Sequence, residues 1–344
     1  MRALVKFRLG DGFTELREVP KPRVEFHYAL VKVKAVGICG ADIHFYRGRY
    51  DELLRPPVIL GHEFSGVVVE VGSEVKGFAI GDRVTCETHG EVCGECYHCI
   101  SGNYNLCPQR RGFGYQKDGA FAEYILVPSI RLHKLPDVIS FEEGALTEPT
   151  SVVHHALAEK GQIKPGDIIV VTGPGPIGIL SAQMARIQGA QKVIVTGLTA
   201  DESRLELALK LGADVTINVE KEDAVEEVVK ITGGLGCDVL VEASGEAQPK
   251  RDALEMVRKG GQILLVGHGS GKMEIDLDQV TRKEISLIGT WSHTWKNWER
   301  SLKLIAAKRI DVGALITHRF PLADWKNAFK VVEDRKALKA IIIP

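Results

Sequence analysis

Residues 167–180 read DIIVVTGPGPIGIL, and the rest of the chain can be read outward from them. An apolar run with strand character leads into Gly173, Gly175 and Gly178, spaced G-x-G-x-x-G, and the residues that follow open a helix. Glycines so spaced permit a tight turn, a close approach of backbone to a pyrophosphate, and close packing of helix on strand. The helix N-terminus then faces the anion. The three glycines, with Pro176 and Ile177 inside the turn, form a candidate dinucleotide site. Bare glycine spacing is a weak signal, but strand, glycines, helix and a further strand, KVIVTG, occur here in order.

The same alternation continues through a helix at ESRLELALKLGA, a strand at DVTINV, a helix at AVEEVVKIT and the strand-bearing runs CDVLVEASG, ALEMVRKGGQILLVG and ISLIGTW. Strands alternating with helical patterns predict a six-stranded, doubly wound parallel sheet, assigned to residues 151–295. Upstream, ALVKVKAVGI, EFSGVVVEVG, DRVTCE and AFAEYILVP are short valine-rich runs punctuated by Gly, Asp and Pro, the texture of a compact β domain. The alternation stops near residue 295, before the helix WERSLKLIAAKR, so residues 296–344 are expected to rejoin residues 1–150 in that first domain. The fold class is α/β.

A chain of 344 residues exceeds one ordinary core, which agrees with two domains. Forty-four basic against forty-five acidic residues leave a net charge of −1, so no broad field exists to draw nucleic acid or an anionic membrane. The N-terminal residues lack the apolar run of a signal peptide and no window approaches ~20 apolar residues, which predicts a cytoplasmic protein.

Seven cysteines in a chain read as intracellular point to metal or core thiols rather than disulfides. Cys93, Cys96, Cys99 and Cys107 fall within fifteen residues, in a loop rich in Gly, Asn and Tyr. Four thiolates on one flexible segment wrap Zn²⁺ tetrahedrally and leave no position for substrate, so this site reads as structural. A second set is dispersed: Cys39 in GICGADIH, His62 and Glu63 in LGHEFSG, and Glu148 in LTEPTS. Mixed sulfur, nitrogen and oxygen donors from separate loops suit a catalytic zinc with one open position.

The end of the strand after a dinucleotide turn ordinarily carries an acid that grips the adenosine ribose. Gly197 stands there instead. Without a carboxylate to repel a 2′-phosphate, and with Thr199, Ser203 and Arg204 nearby in sequence, NADP is favoured over NAD. Asp201 or Glu202 reaching the ribose is the competing reading.

With these residues in view, the sequence resembles the zinc-containing medium-chain alcohol dehydrogenases. GICGADIH, GHEFSGVVVEVG, GDRV, the four-cysteine lobe, the Glu-Pro pair, GPGPIG and RLELALKLGAD carry the likeness, in family order over almost the whole chain. The resemblance implies a GroES-like β-rich catalytic domain with a Rossmann domain inserted between its two chain segments. It also implies a small-molecule alcohol as substrate and a homo-oligomer, a tetramer favoured over a dimer. Glu148 lies in a motif shared by the sorbitol, arabitol-phosphate and threonine dehydrogenase branches, which points to a polyol, a sugar alcohol or its phosphate. RRGFGYQKDGAFAEYILV looks most like the arabitol-phosphate branch, whereas CETHGEVCGEC, with His89, looks like threonine dehydrogenase.

By the same resemblance Cys39, His62 and either Glu63 or Glu148 hold the catalytic zinc, and His44 relays the substrate proton. Relatives have Ser or Thr where this chain has Ala41, so the hydroxyl that feeds that relay is missing. Val266, Gly267, His268 and Thr290 follow two glycine-ended strands and are assigned to the nicotinamide side, because ligands of open α/β sheets bind beyond strand C-termini. Trp291, His293 and Trp295 border the substrate cleft or simply pack at a domain boundary. L-threonine 3-dehydrogenase is the alternative activity. A non-catalytic zinc-stabilised dinucleotide sensor is a rival of another class, disfavoured by the retention of Cys39, His62, Glu63 and Glu148 together.

Overall fold

The structure is a computed structural model describing residues 1–269 and 271–344. The chain divides into one unit formed by Met1–Glu148 with Thr294–Pro344 and a second formed by Pro149–His293.

The first unit is built on a seven-stranded sheet whose main path runs Leu132–Lys134, Arg83–Cys86, Glu63–Val71, Tyr28–Gly37, Lys339–Ile343, Ile316–Pro321, with Tyr124–Pro128 also paired to Tyr28–Gly37. Tyr28–Gly37 reads YALVKVKAVG, and its β-branched residues suit a pleated surface packed on both sides. Val31, Val36, Phe64, Val68, Phe121 and Ile342 are buried in one core with Trp325 and Phe329 of the C-terminal helix Trp325–Glu333. Two register contacts position the chemistry. Gly37 pairs with Glu63, and Ile341 pairs with Gly37. The strand Tyr28–Gly37 therefore lies between the C-terminal strand and the strand that begins at Glu63, and Lys339 reaches past its end to that carboxylate.

The second unit is a six-stranded, wholly parallel sheet in the spatial order Val215–Asn218, Lys192–Gly197, Ile168–Thr172, Cys237–Glu242, Val257–Leu265, Ser286–Gly289. Numbered along this unit the order is 3-2-1-4-5-6, the Rossmann arrangement, whose ligands bind beyond the strand C-termini near the switch between the first and fourth strands. The central strands are apolar on both faces: Ile169–Val171, Val193–Val195 and Val239–Val241 are all buried. The parallel sheet expected from the alternation is thus present. Among the described residues, no helix is long and apolar enough to cross a membrane.

Candidate active site and metal centres

The four-cysteine lobe consists of the short helix Tyr97–Ile100, the turn Tyr104–Leu106 and the loops around them. Cys93 Sγ lies 3.8 Å from Cys99 Sγ and 3.6 Å from Cys107 Sγ, and Cys96 completes a group able to hold a metal ion. Four sulfurs at about 2.3 Å from a common tetrahedral centre are about 3.8 Å apart, so the donor set fits zinc. Backbone N–H groups of Glu95 and Cys96 bring the Cys93 thiol down to about 7, whereas burial pushes Cys99 up to about 12. Little apolar burial supports the lobe: Tyr97 is 80% and Ile100 77% exposed. Its anchor is polar. Tyr104 Oη donates to Glu87 Oε2 at 2.6 Å and accepts from the backbone N–H of Trp295. Glu87 is fully buried and faces Arg131 at 3.7 Å and His133 at 3.5 Å.

The second donor set is assembled from two elements of the same unit. Cys39 caps the helix Gly40–Tyr46, His62 precedes the strand Glu63–Val71, and Glu63 begins it. Their ligand atoms lie within 4.8 Å of one another, a mixed S, N, O set of the kind that holds a catalytic zinc. Two buried residues that sequence reading passed over orient this trio. Asp42 accepts from Cys39 N at 2.9 Å through one oxygen and faces His62 Nδ1 at 3.5 Å with the other. Lys339 Nζ donates to Glu63 Oε1 and Oε2 at 2.9 and 2.8 Å and to Ile38 O at 3.1 Å. Asp42 was visible within GICGADIH, at the fixed offset of a capping residue, but Lys339 carried no signal because 276 residues separate it from Glu63.

The electrostatics follow from that packing. Burial raises the Cys39 thiol against the pull of His62 and Lys339. Burial alone would lower His62 and Lys339, but Asp42 with Cys39 raises the first and Glu63 raises the second. Gly37 is required beside them, since a Cβ there would sit 2.1 Å from Glu63 Oε2.

Glu148, in the first turn of the helix Thr147–His154, stands outside the trio but within range of its charges. Burial pushes its carboxyl up to about 7; the Glu63 charge adds to the rise, and His62, Lys339 and Arg110 oppose it. His44 lies in the helix that Cys39 caps, with its ring 4.7 Å from that of Tyr50. Burial raises the Tyr50 phenol, and the nearby Cys39 contributes. Tyr50 thus sets a phenol ring beside His44, in a helix where Ala41 carries no hydroxyl. His89 is buried, and its Nδ1 accepts from Arg110 Nε at 2.6 Å.

In the second unit the turn Gly173–Gly178 divides its labour among the glycines. Gly173 adopts φ +90°, open to glycine alone at little cost. Gly175 caps the helix Pro176–Ile187, with Pro176 and Ile177 in its first turn, and a Cβ on Gly175 would meet nothing within 4 Å, which leaves the backbone accessible to an anion. A Cβ on Gly178 would stand 1.9 Å from Gly173 O, so this glycine is fixed by packing.

Gly197 ends its strand as the sequence implied, and the space beside it is filled. A Cβ there would lie 2.9 Å from Pro174 Cγ and 3.1 Å from Leu205 Cδ2. The reason is that Pro174, between the first two glycines, leans over the next strand end. Arg204 faces Asp201 at 3.3 Å, and Thr199 N donates to Glu220 Oε2 at 2.8 Å. Glu220, drawn below its usual value by the Thr199 hydroxyl and amide, is an acid at this edge that sequence reading missed. Its place after the third strand, not the second, hid it.

On the other side of the switch, Val266 N and Gly267 N donate to Glu242 O at 3.0 and 2.7 Å, and Thr290 donates from N and Oγ1 to Leu265 O, both at 3.1 Å. Glu242 is fully buried and organises the adjoining loop, accepting from Ser244 N and Gly245 N at 2.9 Å each. His268 packs edge-on against Trp291 at 5.9 Å; His293 is buried, and Trp295 packs 5.7 Å from His133 in the first unit.

A GroES-like first unit, a Rossmann second unit and two donor sets suited to zinc define a class, the zinc-dependent alcohol dehydrogenases. Residues 26–137 match the alcohol dehydrogenase GroES-like domain, and residues 176–307 match the zinc-binding dehydrogenase family. The chain belongs to this family of zinc-dependent oxidoreductases. It is 41% identical to a sorbitol dehydrogenase of Halalkalibacterium halodurans, with 100% of this chain and 99% of the relative covered. It is 43% identical to a D-arabitol-phosphate dehydrogenase of Enterococcus avium, with coverage of 99% and 97%. A zinc-binding dehydrogenase of Sinorhizobium meliloti, solved bound to NADP, superposes with a TM-score of 0.92 at 31% identity, covering 100% of this chain and 99% of that one.

Proposed function

We propose that this chain oxidises a secondary alcohol of a polyol, sugar alcohol or sugar-alcohol phosphate to the ketone, with reversible hydride transfer to a nicotinamide dinucleotide. The observation that carries this reading is the convergence of Cys39, His62 and Glu63 within 4.8 Å, in a chain 41% identical to a sorbitol dehydrogenase. Cys39, His62 and Glu63 hold the catalytic zinc in this reading, with Glu148 the alternative carboxylate, and Cys93, Cys96, Cys99 and Cys107 hold the structural one. Zinc at the first site supplies Lewis acidity that draws electron density from the alcohol oxygen. A bound nicotinamide dinucleotide supplies the hydride acceptor.

The protein's own groups do the rest. Asp42 and Lys339 fix His62 and Glu63, so that the donor set is formed before substrate arrives. His44 takes the substrate proton, and Tyr50 stands in for the hydroxyl absent at Ala41. Gly173, Gly175 and the helix N-terminus hold the pyrophosphate, while Val266, Gly267, His268 and Thr290 border the nicotinamide. NADP is accepted and NAD tolerated: no carboxylate stands at Gly197 and Arg204 is close, and the S. meliloti relative binds NADP. Glu220 weakens that preference by its charge. The enzyme works as a homotetramer in the cytoplasm.

The test is a steady-state screen of purified, zinc-replete enzyme against polyols, polyol phosphates, diols and L-threonine, each with NAD and with NADP. Turnover of polyols or their phosphates is expected. Turnover of threonine alone would transfer the chain to the L-threonine 3-dehydrogenases, and tight coenzyme binding with no alcohol oxidised would make it a sensor.

A further inference from the structure

Glu242 is a wholly buried acid with no part in the proposed hydride or proton steps. It ends the fourth strand of the parallel sheet, Cys237–Glu242, and pairs with Thr172 at the end of the first strand and Leu265 at the end of the fifth. The order 3-2-1-4-5-6 reverses between the first and fourth strands, so Glu242 stands at the crevice where a dinucleotide binds. The adenosine half then lies over the first three strands and the nicotinamide half over the last three.

Burying a carboxylate is costly unless its oxygens are paired, and here the pairing falls on one oxygen. Oε1 accepts from Ser244 N and Gly245 N at 2.9 Å each, from Ser244 Oγ at 2.5 Å and from Thr172 Oγ1 at 3.4 Å. Oε2 has no hydrogen-bond partner among the described residues and faces Lys250 Nζ at 3.9 Å. That ammonium donates to Gly245 O at 3.0 Å. Gly245 is thus pinned at its N–H by the acid and at its carbonyl by the lysine, at a φ of +77° that suits glycine.

The loop after the fifth strand closes on the same acid with no side chain between. A Cβ on Gly267 would lie 2.8 Å from Glu242 Oε2 and 2.3 Å from Gly245 N. Glu242 therefore holds the loop after strand four through its carboxylate and the loop after strand five through its carbonyl, which accepts from Val266 N and Gly267 N. Both loops belong to the nicotinamide half. Towards the adenosine half its carboxylate makes the long bond from Thr172.

We propose that Glu242 is a positioning residue for the coenzyme: with Lys250 it holds the loops at Ser244–Gly245 and Val266–Gly267 in the shape that receives the nicotinamide half, and so sets affinity for that half. The proposal rests on the dehydrogenase reading above and deepens it at the coenzyme site. The charge matters because bonds to an ionised acceptor are roughly twice as strong as neutral ones. Glu242→Gln keeps the length of the side chain, offers a neutral acceptor to the loop and sets an NH2 group where Oε2 now faces the lysine.

The experiment titrates zinc-replete enzyme calorimetrically with NADH and NADPH, and with 5′-AMP and 2′,5′-ADP, the adenosine halves of the two coenzymes. Wild type, Glu242→Gln and Lys250→Met are compared, with the thermal midpoint and zinc content followed alongside. Glu242→Gln is expected to weaken the dinucleotides by at least about tenfold and the adenosine fragments by less than about threefold. Lys250→Met should shift the same ratio in the same direction by about threefold. An equal loss for whole coenzymes and fragments, or no loss for either, overturns the positioning role. If Glu242→Gln does not fold, Lys250→Met decides: a loss confined to the dinucleotides upholds the proposal, and any other result overturns it. A wild type that binds the dinucleotides but oxidises no alcohol overturns the dehydrogenase reading and leaves the titrations to decide the role of Glu242. A wild type that binds neither dinucleotide overturns both.

Discussion

The two candidate metal centres of the first unit are opposites in construction. The four-cysteine lobe takes its donors from fifteen consecutive residues, with large apolar side chains turned to solvent and its hold on the fold made through Tyr104 and Glu87. Cys39 comes from the cap of one helix and His62 with Glu63 from the start of a distant strand, and the carboxylate is braced by a lysine from the C-terminal strand. A local segment with no core of its own needs the ion to order it, whereas a set braced by packed strands exists before the ion arrives. The first centre should therefore govern folding and the second turnover.

The sharpest way to break that contrast is Cys39→Ser, which is expected to lower kcat by about 10³ or more, about 4 kcal/mol of barrier. Circular dichroism, the thermal midpoint and coenzyme binding should stay near wild type. A matching loss of stability would mean that both centres are structural. Cys96→Ser should do the reverse, costing several kcal/mol of stability as the lobe loses its zinc and metal content falls from two ions per chain towards one. An active enzyme carrying a single zinc bound by the lobe would overturn the catalytic assignment. Smallest is Tyr104→Phe, which removes the lobe's tether to Glu87 while keeping the ring. It should cost about 1.5–3 kcal/mol in denaturant unfolding, leave two zinc ions bound and change kcat by less than about threefold. A large fall in kcat would show that the lobe reaches the chemistry through Glu87.

The same division between local and dispersed marks what could be read along the chain. The Rossmann sheet was legible because each strand and helix carries its own period and the glycine turn is a contiguous signature, with Gly173 at positive φ and Gly178 closely packed on it. The cysteine lobe was legible for the same reason. Gly197 was legible as a missing acid but not as a packed position, because Pro174, which fills the space, comes from the preceding turn.

By itself, then, the sequence determined the α/β class, the parallel sheet, the glycine turn and which side chains are of zinc-ligating type, since all of these rest on short-range spacing and side-chain type. Only the tertiary structure decided which donors meet. It joined Cys39, His62 and Glu63 while setting Glu148 apart, placed Asp42 and Lys339 behind them, and brought Thr172 and Gly267 against Glu242. The physical reason is that these contacts are made by strand register and by the return of the chain end to the first sheet, which pair residues as far apart as Val36 and Ile342 and leave no periodic mark in either segment.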